Sequence, residues 1–203
     1  MNSVRTTKVD WTGDNPFIYL KTDPNGDWSS LSLYFRIAAS EYGRGEAILV
    51  LENPYQQEDK SAVRKCLTDN LPLAQYLVNH FVCHFGLFRK AVALNNLEYV
   101  ADASFKTEAD YPHRHICTAH SASTNTSVSL IWNDLGDPFA VALPPEESQT
   151  GEHEMFAIFQ TAGSASVTVN GQALPGNTVA RDFLNRVAQS AALANSESWV
   201  QAK

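Results

Sequence analysis

Residues 30–37, with the sequence SLSLYFRI, alternate between two kinds of side chain. Every second residue from Leu31 to Ile37 is apolar, and most of the residues between them are small or polar. A repeat of two is typical of a β-strand that buries one face and exposes the other. The stretch therefore predicts a half-buried strand, and the neighbouring segments can be interpreted from it.

Two further strands flank this stretch. Residues 17–22 are short and apolar, and they end at the turn-forming run DPNGD at 23–27. After the break at Gly43-Arg44-Gly45, residues 47–51 (AILVL) are apolar on both faces, which predicts a central strand.

Helices are predicted next. Residues 60–69 have a helical composition, and a second helix is expected to follow it. Asp69 or Asn70 can cap that helix, Pro72 suits its first turn, and Gly86 can end it after about Phe85. Its apolar residues surround it nearly completely, which indicates a buried helix.

The remainder of the chain predicts about six strands and a closing helix. Asn170-Gly171 is a strong hairpin signal, because both turn positions must tolerate a positive φ. Apolar residues at helical spacing predict a helix over residues 179–195, capped by Asn177 or Thr178. The expected strands cover residues 97–106, 114–122, 126–132, 139–143, 155–161 and 166–169.

This order predicts an α+β fold built on a large curved antiparallel β-sheet of about eight or nine strands. One or two helices would follow the third strand, and the C-terminal helix would pack on the sheet. Residues 1–203 would form a single domain, with residues 1–14 as a flexible arm. In element order alone, the chain is similar to helix-grip (START-type) domains, which implies a sheet wrapped around a ligand cavity. A lipocalin-like barrel is the related expectation.

The composition excludes several classes of protein. The chain has 203 residues, 44% of them hydrophobic and only 18% charged, which is unlike a disordered chain. Its net charge of −7 disfavours binding to nucleic acid. An odd number of cysteines, a polar N-terminus and the lack of a membrane-length apolar run predict a cytoplasmic protein that does not contact membranes.

Histidines are the leading candidates for chemistry. His113 and His115 would face the same way on a strand, and the ordinary pKa of a histidine, near 6.5, suits His115 to general acid–base catalysis. Glu154 is the acid that stands closest to an expected strand in the run Glu152-His153-Glu154, so it is a third candidate.

No cofactor is expected, because the chain lacks phosphate-cradling glycine motifs. A metal at His113 and His115 is a weaker alternative, since paired imidazoles on a strand are a known ligand pattern. No acidic residue follows them between Ile116 and Ser123.

The leading hypothesis is a protein that binds a small, mainly apolar organic molecule in a cavity of the curved sheet. Tyr99, Phe105, Trp132 and Arg36 are the expected ligand-binding residues. The protein could also catalyse a cofactor-free cyclisation, isomerisation or dehydration. A metal-dependent enzyme and an acidic inhibitor or immunity-type protein are the two alternatives, and the oligomeric state stays open.

Overall fold

The computed structural model describes residues 7–57, 59 and 61–202. Its elements, numbered in chain order, are β1 (Val9–Asp14), β2 (Phe17–Leu20), β3 (Ser30–Ser40), β4 (Gly45–Glu52), β5 (Arg64–Thr68), α1 (Leu71–His80), β6 (Glu98–Val100), β7 (Ala103–Asp110), β8 (Arg114–Ser121), β9 (Thr126–Leu135), β10 (Phe139–Leu143), β11 (His153–Val169), β12 (Gln172–Ala173), β13 (Ala180–Asp182), β14 (Val187–Gln189) and β15 (Ala191–Gln201). Short 3-10 helices at Val82–His84, Phe88–Lys90 and Val92–Asn96 follow α1.

Thirteen of these strands form one sheet, and ten of them lie in the order β6-β5-β4-β3-β1-β15-β11-β9-β8-β7. Within that sheet β10 and β12 also pair with β11, and β2 pairs with β3 and β15. Strands β13 and β14 form a separate hairpin. The sheet is mixed, because β5 and β6 run parallel whereas the other pairs are antiparallel.

The long strand β11 joins two parts of the sheet. Its first half pairs with β10 and β15, and its second half pairs with β9 and β12. Side chains of β7–β9 share a buried cluster with those of β2–β5, so the sheet folds back over itself. A second cluster lies on the other face of β1–β4, where α1 and the 3-10 helices cover it. The protein thus has a helical layer, a central sheet region and an outer sheet region.

The strand predicted at residues 30–37 lies within β3, in the middle of this arrangement. Leu31, Leu33, Phe35 and Ile37 all belong to the cluster under the helical layer, whereas Tyr34 belongs to the cluster between the sheet regions. The alternation in the sequence therefore separates two buried faces. The polar residues Ser30 and Ser32 are also fully buried, which is why the strand is not half exposed.

The helix predicted after Asn70 is present as α1. Asn70 caps it by accepting a hydrogen bond from the backbone N–H of Leu73, and Pro72 lies in the first turn. It ends at His80, earlier than expected, and the chain continues in 3-10 turns. The other predicted helix, at residues 60–69, is wrong, because Arg64–Thr68 forms β5 against β4.

The predicted C-terminal helix is also wrong. Residues 179–195 contain the β13–β14 hairpin and the start of β15 instead. Leu184 and Asn185 have φ values of 55° and 61°, which make the hairpin turn and exclude an α-helix. Ala191–Ala194 lie in a central part of the sheet that is buried on both faces, where small side chains fit. Tertiary packing there overrides the helix preference of alanine.

Other expectations need correction. The chain forms fifteen strands among the described residues, not eight or nine, and the main sheet is mixed, not antiparallel. Of the expected arm at residues 1–14, residues 1–6 lie outside the described residues, whereas Val9–Asp14 is β1 and buries Trp11 completely. The hairpin turn at Asn170-Gly171 is confirmed, with φ values of 50° and 78°.

Candidate functional site

His115 and Trp132 lie side by side on β8 and β9. Their ring centres are 5.8 Å apart, and His115 Nε2 lies 3.4 Å from the Sγ of Cys117. Trp132 is completely buried and donates its indole N–H to the carbonyl of Phe17 at 3.0 Å. Burial lowers the pKa of His115, and the nearby charge of Arg36 lowers it further. These residues lie at the packed interface between the two sheet regions.

Phe105 and Arg36 contribute to different surroundings. Phe105 is partly buried and stacks on Tyr34, with ring centres 6.3 Å apart. The guanidinium of Arg36 is exposed and is held by Asp14, to which its Nε donates at 2.8 Å. Phe105 thus packs in the cluster between the sheet regions, whereas Arg36 forms a surface ion pair.

The remaining candidates are dispersed. Tyr99 on β6 packs against the cluster under the helical layer, on the far side of the sheet from Trp132. His113 is exposed in the turn before β8, and Glu154 is half-buried on β11. The structure therefore does not bring the seven predicted site residues into one cavity. Within residues 7–57, 59 and 61–202, no group of three or more His, Cys, Asp or Glu side chains could hold a metal ion.

The geometry favours a different place, an apolar pocket of about 190 Å³ between the central sheet region and the helical layer. We call it the aromatic pocket. Its aromatic lining residues are Phe17, Tyr19, Phe85, Phe159, Phe183 and Trp199. Its aliphatic lining residues are Leu33, Leu87, Leu143, Leu184 and Met155. Four polar or charged residues also line it, namely Asn15, Gln149, Arg181 and Glu197.

The rings of the pocket support one another. Phe17 stacks on Tyr19 with ring centres 4.7 Å apart. Phe183 meets Phe17 at 5.4 Å and Phe159 at 5.1 Å, both edge to face. Such pairs are favourable beyond the area they bury, so the walls are held in place before any ligand enters.

A β-bulge in β15 turns Glu197 towards this pocket. Three steps along β15 match two along β11 between Phe156 and Ile158, and Ser196 has a φ of 52°. The bulge reverses the alternation of the strand, so Glu197 and Trp199 continue the face on which Ala194 lies. A carboxyl group is thereby placed on a buried face that also carries Ala192, Ala194 and Trp199.

Glu197 is only 3% exposed. Its Oε1 accepts a hydrogen bond from the indole N–H of Trp199 at 2.6 Å and a longer one from Asn15 Nδ2 at 3.5 Å. Burial raises the pKa of Glu197 to about 7, although these hydrogen bonds act in the opposite direction. Among the described residues, no Lys or Arg lies within salt-bridge distance of it.

Asn15 is a second buried polar group in the same pocket. It is 6% exposed, and its backbone N–H is held by the carbonyl of Ala194 at 2.8 Å. Its side-chain Oδ1 has no hydrogen-bond donor among the described residues. A buried acceptor without a donor is costly, so this atom has hydrogen-bonding capacity that the described residues do not use.

The β13–β14 hairpin forms one wall of the pocket. Arg181 places its guanidinium 5.7 Å from the ring centre of Tyr19 and 5.8 Å from that of Phe183. At the tip, Arg186 lies 4.2 Å above the ring of Phe139 on β10. The hairpin is thus attached to the sheet mainly through rings and guanidinium groups.

A larger open groove of about 690 Å³ lies elsewhere on the surface, beside Asp14 and Arg36. Its central charged groups are paired with each other: Asp14 binds Arg36 and also accepts the backbone N–H of Ser196 at 3.0 Å. The aromatic pocket is therefore the better candidate site, because its polar atoms are buried and incompletely satisfied.

Glu197, Asn15 and the hairpin were not among the residues and elements predicted from the sequence to form a site. A signal was present in Glu197 and Trp199, which lie two residues apart and so share a face if residues 195–201 are extended. The predicted elements ended with the helix over residues 179–195, so no strand was expected to carry these two residues. Only the order of the strands brings β1, β2, β11 and β15 together around the pocket.

Comparison with known proteins found no matching family model, no matching curated protein and no matching solved structure. Across the described part of the chain, no helix has the length and apolar character that crossing a membrane requires.

Proposed function

We propose that this protein binds a small, mainly apolar organic molecule in the aromatic pocket. The observation that carries the proposal is Glu197, a nearly fully buried carboxyl group among aromatic rings with no cation beside it in the described structure. Such a group destabilises the folded protein, and a binding site is one reason to retain it.

The size of the pocket limits the ligand. An apolar cavity of about 150 Å³ holds a benzene molecule. A pocket of about 190 Å³ therefore suits a single ring with a short substituent, or a short branched chain. Burial of such a molecule among six rings supplies its affinity, and the few polar groups orient it.

The test uses 1-ethyl-4-fluorobenzene as the probe and ¹⁹F NMR line broadening as the measurement. Leu143→Trp should abolish binding, because Leu143 lines the pocket and the larger indole would fill it. Ala140→Trp is the matched control, since Ala140 lies on the same strand but is exposed on its outer face. Binding that survives Leu143→Trp, or no binding to the unmodified protein, would contradict the proposal.

The catalytic step suggested by the sequence stays a prediction. If the pocket carries out chemistry on its ligand, the acid–base group among its lining residues is Glu197, because His115 does not line it. The metal-dependent and interaction-protein alternatives also stay predictions, and no feature of the aromatic pocket favours either.

A further inference from the structure

The polar groups of the aromatic pocket indicate the chemical class of its ligand. Resting on the function proposed above, we propose that the ligand is a small amine whose ammonium group binds between Glu197 and Asn15 while its apolar part lies among the rings. The hydrogen-bonding capacity, the charge and the ring lining of the pocket each favour an ammonium group.

The polar residues of the pocket have unused hydrogen-bonding capacity. Asn15 Oδ1 has no donor in the described structure. Both donors that reach Glu197 go to Oε1, so Oε2 has no protein donor among the described residues. Two residues that line the pocket therefore each have an acceptor atom without a protein donor in the described part of the chain. An ammonium group has three N–H donors and can serve both, whereas a hydroxyl has one.

The charge of Glu197 also favours a cationic ligand. A carboxylate buried without a cation either pays a large desolvation cost or takes up a proton. Arg181 lines the same pocket, but its guanidinium lies against the rings of Tyr19 and Phe183, and its Nε donates to the carbonyl of Asp182. The position beside Glu197 is thus open to a cation from the ligand. An anionic ligand would meet Glu197 with a charge of the same sign.

The aromatic rings that line the pocket favour a cation as well. Cations are attracted to the faces of aromatic rings, and cages of such rings are used to bind ammonium groups. Phe17, Tyr19 and Trp199 line the pocket together with Glu197. A carboxylate inside a set of rings is complementary to an alkylammonium ion, and less so to a neutral molecule.

Three probes of nearly the same shape separate these contributions: 4-fluorobenzylamine, 4-fluorobenzyl alcohol and 1-ethyl-4-fluorobenzene. Their dissociation constants are measured by ¹⁹F NMR at pH 8. We expect the amine to bind about tenfold or more tightly than the ethyl compound, as a charge-assisted hydrogen bond to a buried carboxylate would give, with the alcohol between them.

Glu197→Gln should remove the advantage of the amine and leave the binding of 1-ethyl-4-fluorobenzene nearly unchanged. Glu98→Gln is the matched control, because Glu98 is exposed on β6 and pairs with Lys65 outside the pocket. It should change neither value.

A measurement on the unmodified protein does not depend on the folding of any variant. Amine binding should become tighter between pH 6 and pH 8, because an empty pocket holds Glu197 with a pKa of about 7 and the ammonium group requires the carboxylate. Binding should therefore release a proton, measurable by calorimetry in buffers of different ionisation enthalpy. Asp14, Tyr19 and Arg181 are the other ionisable groups around Glu197.

The outcomes are distinguishable. Equal binding of all three probes, or tighter binding of the alcohol than of the amine, would overturn the amine proposal and leave the proposed function standing. Failure of all three to bind would overturn both. Amine binding without proton release, or unchanged in Glu197→Gln, would place the ammonium group away from Glu197 and would also overturn the proposal.

Discussion

Trp199 donates its indole N–H to Oε1 of Glu197 at 2.6 Å, from a position two residues further along the same face of β15. The two side chains are 2% and 3% exposed. The indole thus lines the aromatic pocket and also makes the shorter of the two hydrogen bonds to Glu197. This pairing connects the stability of the sheet with the chemistry of the pocket, and the first two predictions follow from it.

The stability of the protein should fall as the pH rises through neutrality because of Glu197. Its pKa is raised from 4.5 to about 7 in the folded state, so its stabilising protonation is complete below 4.5 and is lost as the pH passes 7. The difference corresponds to about 3 kcal/mol. Glu197→Gln should remove this slope, measured by urea unfolding at pH 5 and pH 8. Parallel pH profiles for the two proteins would contradict the assignment.

Trp199→Phe should raise the pKa of Glu197 further, because the indole N–H lowers it and phenylalanine has no donor to replace it. The carboxyl carbon of Glu197, observed by ¹³C NMR across a pH titration, reports that change directly. Loss of the hydrogen bond should also cost about 1–3 kcal/mol of stability. Trp28→Phe is the control, since Trp28 is only partly buried and does not line the pocket. A Glu197 titration curve that does not move in Trp199→Phe would show that the hydrogen bond is unimportant.

The stability of the protein should depend on Asp10, which is hydrogen-bonded to His153 at the start of β11. Burial raises the pKa of Asp10, but hydrogen bonds from His153, Gln201 and Lys8 outweigh it and hold that pKa below 3.8. The contribution of Asp10 is therefore present above pH 3.8 and is lost as the pH falls below that value. The bond to His153 Nε2 is 2.6 Å long, and His153 Nδ1 contacts Thr150 Oγ1 at 2.9 Å.

Asp10→Asn should accordingly destabilise the protein at pH 7 by about 1–3 kcal/mol, and by less at pH 3. Thermal unfolding at both pH values measures this. Asp137→Asn, at an exposed position, is the control and should have little effect. An equal loss at both pH values would mean that Asp10 acts through packing and not through its charge.

Phe183→Ala should weaken probe binding more than it weakens the fold. Phe183 contacts Phe17 and Phe159 across the pocket, but it belongs to a hairpin that is separate from the main sheet. We expect a loss of about 1–2 kcal/mol in stability and a clear fall in affinity for 1-ethyl-4-fluorobenzene. Val187→Ala, on the same hairpin at an 86% exposed position, should change neither. Unchanged affinity in Phe183→Ala would remove the hairpin from the site.

Local patterns in the sequence predicted part of the fold. The alternation at residues 30–37, the Asn70 cap with Pro72, and the Asn170-Gly171 turn all depend on near neighbours in the chain, and all three are present. The helix predicted over residues 179–195 failed because the apolar residues of the β13–β14 hairpin and of the doubly buried start of β15 together have the spacing of a helix face. Burial on both faces is a tertiary property, so residue spacing alone could not distinguish the two.

The candidate site was less predictable for a related reason. Glu197 and Asn15 are 182 positions apart, and they meet because β15 pairs with β1 and a bulge turns Glu197 inward. Neither residue belongs to a recognisable motif. The histidines drew attention because imidazole is the commonest acid–base group, but His115 and Trp132 lie at a packed interface. Residue types indicate which side chains could act as an acid or a base. They do not show where the fold leaves an open pocket.

The most direct test of ligand binding uses the methionines. The chain has two, Met1 and Met155, and Met155 lines the aromatic pocket. With ¹³C-labelled methionine methyl groups, titration with 1-ethyl-4-fluorobenzene should shift the Met155 signal to saturation and leave the Met1 signal in place. A Met155 signal that stays fixed, or that moves only in step with Met1, would contradict the proposal that this pocket binds a small apolar molecule.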